Sequence, residues 1–197
     1  MAGCLRLRAL ILDGSFKGDE EAKAVRERVA QELTSKGWDV SAQVLHELDI
    51  APCTGCFSCW TSSPGECIID DEGRTVARGL AQADLWVYIT PVTFGGYSSV
   101  LKRALDRLIP DLLPFFRKYD GESHHPSRYG KEWDILVFGL LPKMDAEAEE
   151  AFRELVHRNA LNSHAQHEAA AVILRGAGDV AIEDKVRSTI ELSGVLP

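Results

Sequence analysis

The sequence has no apolar run approaching the ~20 residues that cross a bilayer, so no membrane-spanning helix is expected. It has no basic excess: 22 Lys and Arg stand against 30 Asp and Glu, a net charge of −8. A nucleic-acid binder needs a basic face to meet phosphate, and an anionic membrane surface makes the same demand, so neither partner is expected. The start, MAGCLRLRALILDG, lacks a separate apolar core followed by a small-residue cleavage site, and no apolar segment precedes Cys4 as a lipoprotein signal requires. A cytoplasmic protein is the expectation. There is no internal repeat, no low-complexity segment, no P-loop and no Ser-His-Asp order that suggests a triad.

Cysteine is scarce outside one stretch. Of five, four (Cys53, Cys56, Cys59 and Cys67) fall within PCTGCFSCWTSSPGECIIDD, Pro52 to Asp71. In a reducing compartment such clustering suggests metal or redox chemistry more than structural disulfides. The rest is ordinary for a globular chain: 197 residues, 45% hydrophobic and 26% charged. One domain over 1–197 is expected, with a core that needs neither disulfides nor metal.

Strand and helix patterns alternate. Leu5–Asp13 is an apolar strand ended by Gly14-Ser15. From Asp19 to Lys36, Ala22, Val25, Val29, Ala30 and Leu33 recur at helical spacing, and Gly37 stops the helix. Trp38–Leu45 is the second strand, followed by the cysteine loop at 51–71 and a short helix over Glu72–Gln82. Asp84–Thr90 is a buried-type third strand ended by Pro91, and Val100–Ile109 a helix ended by Pro110. Trp133–Leu140 and Glu168–Leu174 complete the strands, with helices over Asp145–Asn159 and Asp179–Leu192. The pattern predicts an α/β fold with a flavodoxin-like, doubly wound five-stranded parallel sheet of order 2-1-3-4-5. An irregular arm over 110–132 is long enough to suggest a lid or an interface.

Ligands of such sheets bind beyond the carboxyl ends of the strands, where strand order reverses. Here that point lies between the first and third strands. The loops at Gly14–Asp19, Pro91–Ser99 and Leu141–Asp145 meet there, and the cysteine loop leaves the second strand at the same edge. In Pro91–Ser99 two glycines let the backbone approach a flat ligand, Phe94 and Tyr97 offer aromatic surface, and the following helix start offers N–H donors. A plain strand-to-helix turn with a Gly-Gly bend fits the same residues.

The segment ITPVTFGGYSSVLKRALDRL, with LILDGS after the first strand and PCTGCFSCW after the second, resembles the NADPH-dependent FMN reductase family. Its cysteine run is similar to that of the iron–sulfur flavoproteins, whose loop carries a four-iron cluster close to FMN. The resemblance implies FMN at the switch point, its ring against Pro91, Val92, Thr93, Phe94 and Gly95. Gly96 and Ser98 would support the polar edge, and Ser15 and Lys17 would stand at the phosphate. It also implies transient NAD(P)H, and a homodimer or homotetramer to which the arm contributes. The usual phosphate loop runs Gly-Ser-Pro-Arg; this chain has Gly14-Ser15-Phe16-Lys17-Gly18-Asp19-Glu20-Glu21. Three carboxylates in the first helical turn would repel a phosphate at that helix end.

The cysteines run C-x2-C-x2-C, then seven residues, then Cys67. Four thiolates so spaced suit a [4Fe-4S] cluster, and a turn at Pro64-Gly65 would return Cys67 to the others. Free or redox-labile thiols, with the loop held by Phe57, Trp60 and Ile68, fit as well; zinc or a disulfide is the remaining reading. Asp70 and Asp71 are expected to cap the next helix. His124 and His125 are expected in a solvated loop, and His157 and His164 have no partner visible in the sequence.

Three functions follow as expectations. The first is an FMN-dependent NAD(P)H oxidoreductase that orients flavin without a catalytic side chain and passes electrons to a small-molecule acceptor or a redox protein. The second is an iron–sulfur flavoprotein for protein-to-protein electron transfer. The third is a flavodoxin-like binding or regulatory module that has lost FMN.

Overall fold

The computed structural model describes residues 7–119 and 121–195. Cys4 and the first two residues of the expected first strand lie outside them. β1 (Arg8–Asp13), β2 (Asp39–Val44) and β3 (Leu85–Pro91) form a parallel sheet with β6 (Asp134–Leu141) and β7 (Glu168–Leu174), in the order β2-β1-β3-β6-β7. This is the expected doubly wound order, with β6 and β7 as its fourth and fifth strands. A separate antiparallel hairpin, β4 (Arg117–Tyr119) and β5 (Glu122–His124), lies within the arm. The arm was expected to be irregular; a paired hairpin satisfies part of its backbone instead.

The central strands are buried on both faces, so they read as unbroken apolar runs, and every residue of β3 is buried. Alternate residues feed two cores. Leu10, Leu12, Trp86 and Tyr88 pack against α3 (Glu72–Gln82), α4 (Ser99–Leu105) and α5 (Ala146–Ser163). Ala9, Ile11, Leu85, Val87 and Ile89 pack against α1 (Glu20–Ser35) and α6 (Asp179–Leu192). Each fully buried Leu or Ile of this kind contributes about 1.5–3 kcal/mol.

Helix ends follow from local chemistry. Asp19, Asp71, Ser98 and Asp145 each cap a helix by accepting a backbone N–H from its first turn. Most boundaries fall within a residue of expectation, α5 runs on to Ser163 rather than Asn159, and two further differences have local causes. β3 includes Pro91, since Pro can close a strand whose next amide, Val92, donates to Leu140 at 2.9 Å. α4 stops at Leu105, and the chain tightens into a 3-10 turn over Ile109–Asp111 because Pro110 disfavours α-helix in the residue before it.

Candidate functional site

β1 and β3 end side by side, with the Gly14 amide donating to the Ile89 carbonyl at 2.8 Å. A Cβ on Gly14 would lie 2.4 Å from Leu101 Cβ, so only glycine lets this loop sit against α4. The loop after β1 lines a cavity of about 440 Å³ that includes Lys17, Lys23 and Arg26. Ser15 is buried, and its N–H donates to Asp13 Oδ1 at 3.0 Å. Arg26 pairs with Asp13, and both line the cavity. Among the described residues, the backbone N–H groups of Phe16, Lys17 and Gly18 have no partner. Three consecutive free amides, with Gly18 at φ +82°, can face an anion.

The acidic first turn of α1 is partly compensated. Arg175, just after β7, reaches back to Asp19 at 2.6 and 2.9 Å and to Glu21 at 2.9 Å. Its hydrogen bonds hold the Asp19 carboxyl below the usual range, against the opposing effect of burial. Glu20 pairs with Lys23 at 3.4 Å. The carboxylates expected to repel a phosphate are therefore each paired with a cation, Asp19 and Glu21 sharing one guanidinium 154–156 positions away.

The segment after β3 is a tight turn. Thr93 and Gly96 exchange both backbone hydrogen bonds at 2.9 Å, and Phe94 and Gly95 between them have φ +51° and +74°. Two positive φ values make this the left-handed type I′ geometry, which an L-residue such as Phe94 adopts only under strain. Phe94 is fully exposed at the tip, at 106%. Gly95 packs so closely that a Cβ would lie 2.8 Å from Ala151 Cβ. Pro91, Val92 and Gly95 are buried, whereas Thr93 and Phe94 face solvent. Ser98 corrects the expectation of a ligand edge. It is fully buried, its hydroxyl donates to the Gly14 carbonyl and accepts from Leu101, and its N–H donates to Thr90. Its work is to tie the two crevice loops together.

The cysteine loop folds around a short helix, α2 (Ser58–Thr61), entered through Phe57 at φ +55°. Gly65 donates to the Cys59 carbonyl at 3.0 Å, so the chain doubles back towards α2 before Cys67. Cys59 is buried, Cys53 and Cys67 half-buried and Cys56 exposed, and all four are free thiols. Burial pushes the Cys59 thiol up, and the neighbouring thiols of Cys67, Cys53 and Cys56 add to it. Cys59 thus lies near the other three thiols. Among the described residues, no three Cys, His, Asp or Glu side chains gather round one point as a single ion demands. The Ser58 hydroxyl and N–H, with Thr54, draw the Cys56 thiol down to about 7.

Phe57 and Ile68, expected to pack the loop, are about half exposed at 48% and 57%. Polar ties hold it instead. Trp60 Nε1 donates to the Ile109 and Leu112 carbonyls at 3.1 and 3.0 Å. Arg107 reaches the Ala51 and Ile69 carbonyls and both oxygens of Asp71. Asp71 caps α3 as expected, while Asp70 pairs with Arg74 at 2.9 Å.

The family model for NADPH-dependent FMN reductase matches residues 7–123, more than half of the chain. The chain belongs to the NADPH-dependent FMN reductase family. Among curated relatives, an iron-sulfur flavoprotein of Archaeoglobus fulgidus is 25% identical over 131 residues, covering 66% of this chain and 54% of its own length. One from Methanocaldococcus jannaschii is 25% identical over 109 residues, 55% of either chain. The chain spans about half the length of these relatives. The fold is similar to that of an NAD(P)H:quinone oxidoreductase from Methanothermobacter marburgensis, with TM-score 0.72 and 12% identity over 93% of this chain and 96% of that one. An FMN-dependent NADH-azoreductase from Bacillus anthracis has TM-score 0.64 and 13% identity, covering 94% and 96%.

In this FMN reductase family member, the matched region holds both crevice loops and all four clustered cysteines. It leaves out Arg175, which sequence reasoning also missed. The signal for it was the loop after the last strand, which opens at the same sheet edge. The histidines differ from expectation. His124 is buried between Asn162 and Glu122, and His164 Nε2 meets the His125 carbonyl at 2.8 Å, so the arm docks on α5. His157 pairs with Glu168 at 2.8 Å. Among the described residues, no helix is long and apolar enough to cross a membrane.

Proposed function

We propose that the chain is a flavin-dependent oxidoreductase that binds FMN at the β1/β3 switch point and takes reducing equivalents from NAD(P)H. The observation that carries this is the loop after β1, where three adjacent free amides and Lys17 line a cavity whose acids Asp13, Asp19 and Glu20 are paired with Arg26, Arg175 and Lys23. A phosphate needs those donors and that charge balance. FMN, when bound, supplies a ring that accepts a hydride and releases electrons singly or in pairs. Phe16, Lys17 and Gly18 would hold the phosphate, with Ser15 shaping the loop from beneath. Thr93, Phe94 and Gly96 would meet the ring, on a turn fixed by Pro91, Val92, Gly95 and Ser98. The electron acceptor would be a small molecule or a redox protein.

A second reading adds a [4Fe-4S] cluster on Cys53, Cys56, Cys59 and Cys67. Its support is the proximity of Cys59 to the other three thiols and the double-back at Gly65. The arm, with Phe115 and Phe116 at 66% and 75% exposure, would bury its aromatic rings in a homodimer or homotetramer. The loss-of-FMN reading has its basis in the acidic turn, where Asp19 and Glu21 share Arg175 and Glu20 meets Lys23.

The visible spectrum of anaerobically purified protein tests both readings. Flavin bands that NADPH or NADH bleaches are expected, and added FMN should restore them in apoprotein. Broad brown absorbance with acid-labile sulfide is expected for the cluster. A colourless protein that takes up no FMN would overturn the proposal.

A further inference from the structure

A second cavity, of about 370 Å³, lies between α3, the cysteine loop and the arm, and shares no lining residue with the crevice after β1. Arg74, Ala77, Arg78 and Ala81 recur at helical spacing, so one face of α3 forms its wall. Arg8 from β1 and Lys131 from the arm bring the cations to four, in a chain whose net charge is −8. Two of them are already engaged. Arg74 Nε donates to the Cys67 carbonyl at 2.8 Å and Nη1 to Asp70 at 2.9 Å, and Lys131 pairs with Asp84 at 2.7 Å. Among the described residues, the Arg8 and Arg78 guanidinium groups make no hydrogen bond.

Two acids line the same cavity. Burial pushes the Asp111 carboxyl up to about 7, which weakens its charge near neutrality. Glu66 marks where an anion sits. Its Oε1 lies 3.5 Å from Arg78 Nη2 and 3.8 Å from Arg74 Nη1. Two guanidinium groups thus converge on one oxygen, but at separations longer than good hydrogen bonds. A phosphoryl group offers three acceptor oxygens and nearly two negative charges, whereas a carboxylate offers two oxygens and one charge. It can bond both guanidinium groups and gains more from the positive potential that Arg8 and Lys131 add. The volume is that of a small-molecule site, and Ala77, Ala81, Pro110 and the Tyr129 ring offer apolar surface to a carbon body. We propose that this cavity binds a small organic phosphate monoester, for which Glu66 is a built-in competitor at Arg74 and Arg78. The site is independent of the FMN reading, since it uses none of the residues of that crevice.

The test titrates phenyl phosphate, inorganic phosphate and benzoate separately into the full chain at about pH 7.5, where the monoester is largely a dianion. Calorimetry gives affinity, and the Gly65 amide and Arg78 Nε–H resonances report the site. Phenyl phosphate is expected to saturate, to move both resonances, and to bind roughly tenfold more tightly than benzoate, the value of one further charge-assisted hydrogen bond. Inorganic phosphate, which lacks the ring, should bind more weakly than phenyl phosphate. Arg78→Ala should weaken phenyl phosphate roughly tenfold, and its side chain is 64% exposed, so the fold does not depend on it. Glu66→Gln should tighten binding several-fold, because no charge then competes for the two guanidinium groups. Lys17→Ala, at the other crevice, should leave the Gly65 and Arg78 shifts as they are. Benzoate binding as tightly as phenyl phosphate, resonances that do not move, Arg78→Ala without effect, weaker binding in Glu66→Gln, or shifts lost in Lys17→Ala would each overturn the proposal.

Discussion

Arg107 and Asp71 meet fork to fork, with each terminal nitrogen of the guanidinium 2.8 Å from one carboxylate oxygen. Their side chains are 1% and 10% exposed. Burial works against the Asp71 carboxylate, yet Arg107 and the amides of Ala51 and Gly73 hold its pKa below the ordinary value. The guanidinium thereby joins the end of α4 to both ends of the cysteine loop. Gly73 admits it, since a Cβ there would lie 3.1 Å from Arg107 Cζ. Arg107→Met leaves a buried carboxylate without its cation and is expected to lose about 3–5 kcal/mol of stability. Arg107→Lys should recover little, because an ammonium cannot form the fork. Urea denaturation measures both, and a loss under about 1 kcal/mol in Arg107→Met would show that solvent reaches the pair.

Phe94 separates stability from function. It is strained at positive φ and its ring touches solvent, so the fold gains little from it. Phe94→Gly is expected to leave stability unchanged or raise it by about 1 kcal/mol. If Phe94 covers the flavin ring, the same change should weaken FMN binding by several-fold, read by fluorescence titration. A variant that is both less stable and unchanged in FMN affinity would give the turn a purely structural role.

Arg175 should act on FMN through the phosphate alone. Arg175→Ala frees the Asp19 and Glu21 carboxylates beside the anion cavity, and FMN affinity is expected to fall roughly tenfold, about 1.4 kcal/mol. Riboflavin, which lacks the phosphate, should bind the variant and the parent alike. The pair also has a pH signature. The Asp19 pKa is lowered in the folded chain from 3.8, so its stabilisation is present above that value and is lost as pH falls through the lower, folded value. Arg175→Ala should flatten the acid limb of stability below about pH 4. Equal loss of FMN and riboflavin would place the effect in the fold.

The sheet was legible because its signals are local and repetitive. β7, α3 and α6 begin and end where apolar runs, capping Asp and stop signals put them, and the strand order follows from their alternation. The site was legible only to the level of loops. Lys102, Arg103 and Arg107 look alike in LKRALDRL, yet the first two are exposed and the third is buried. Nothing at short range marks the residue that will meet Asp71, 36 positions away. Arg175 is the same case at larger separation, and it weakens an argument made from Asp19, Glu20 and Glu21 alone. Ser98 shows the opposite limit: the segment was located correctly, but its inward rotation depends on packing against Gly14.

Asp111 sets a pH dependence on the alkaline side. Its carboxyl, buried beneath the arm, is raised from 3.8 to about 7. Between those values the unfolded chain has released the proton and the folded chain still holds it. Stability therefore falls as pH rises through this window, and the full penalty is present above pH 7. The shift corresponds to a penalty on the order of 2–4 kcal/mol. Arg128 opposes it from the arm, while Tyr88 and Tyr129 add no positive charge. Asp111→Asn cannot ionise, so it should remove this slope. It is expected to be more stable than the parent at pH 8 and no more stable at pH 4.5, with urea midpoints at both pH values as the measurement. Parallel pH profiles in the two proteins would mean that water reaches the carboxylate.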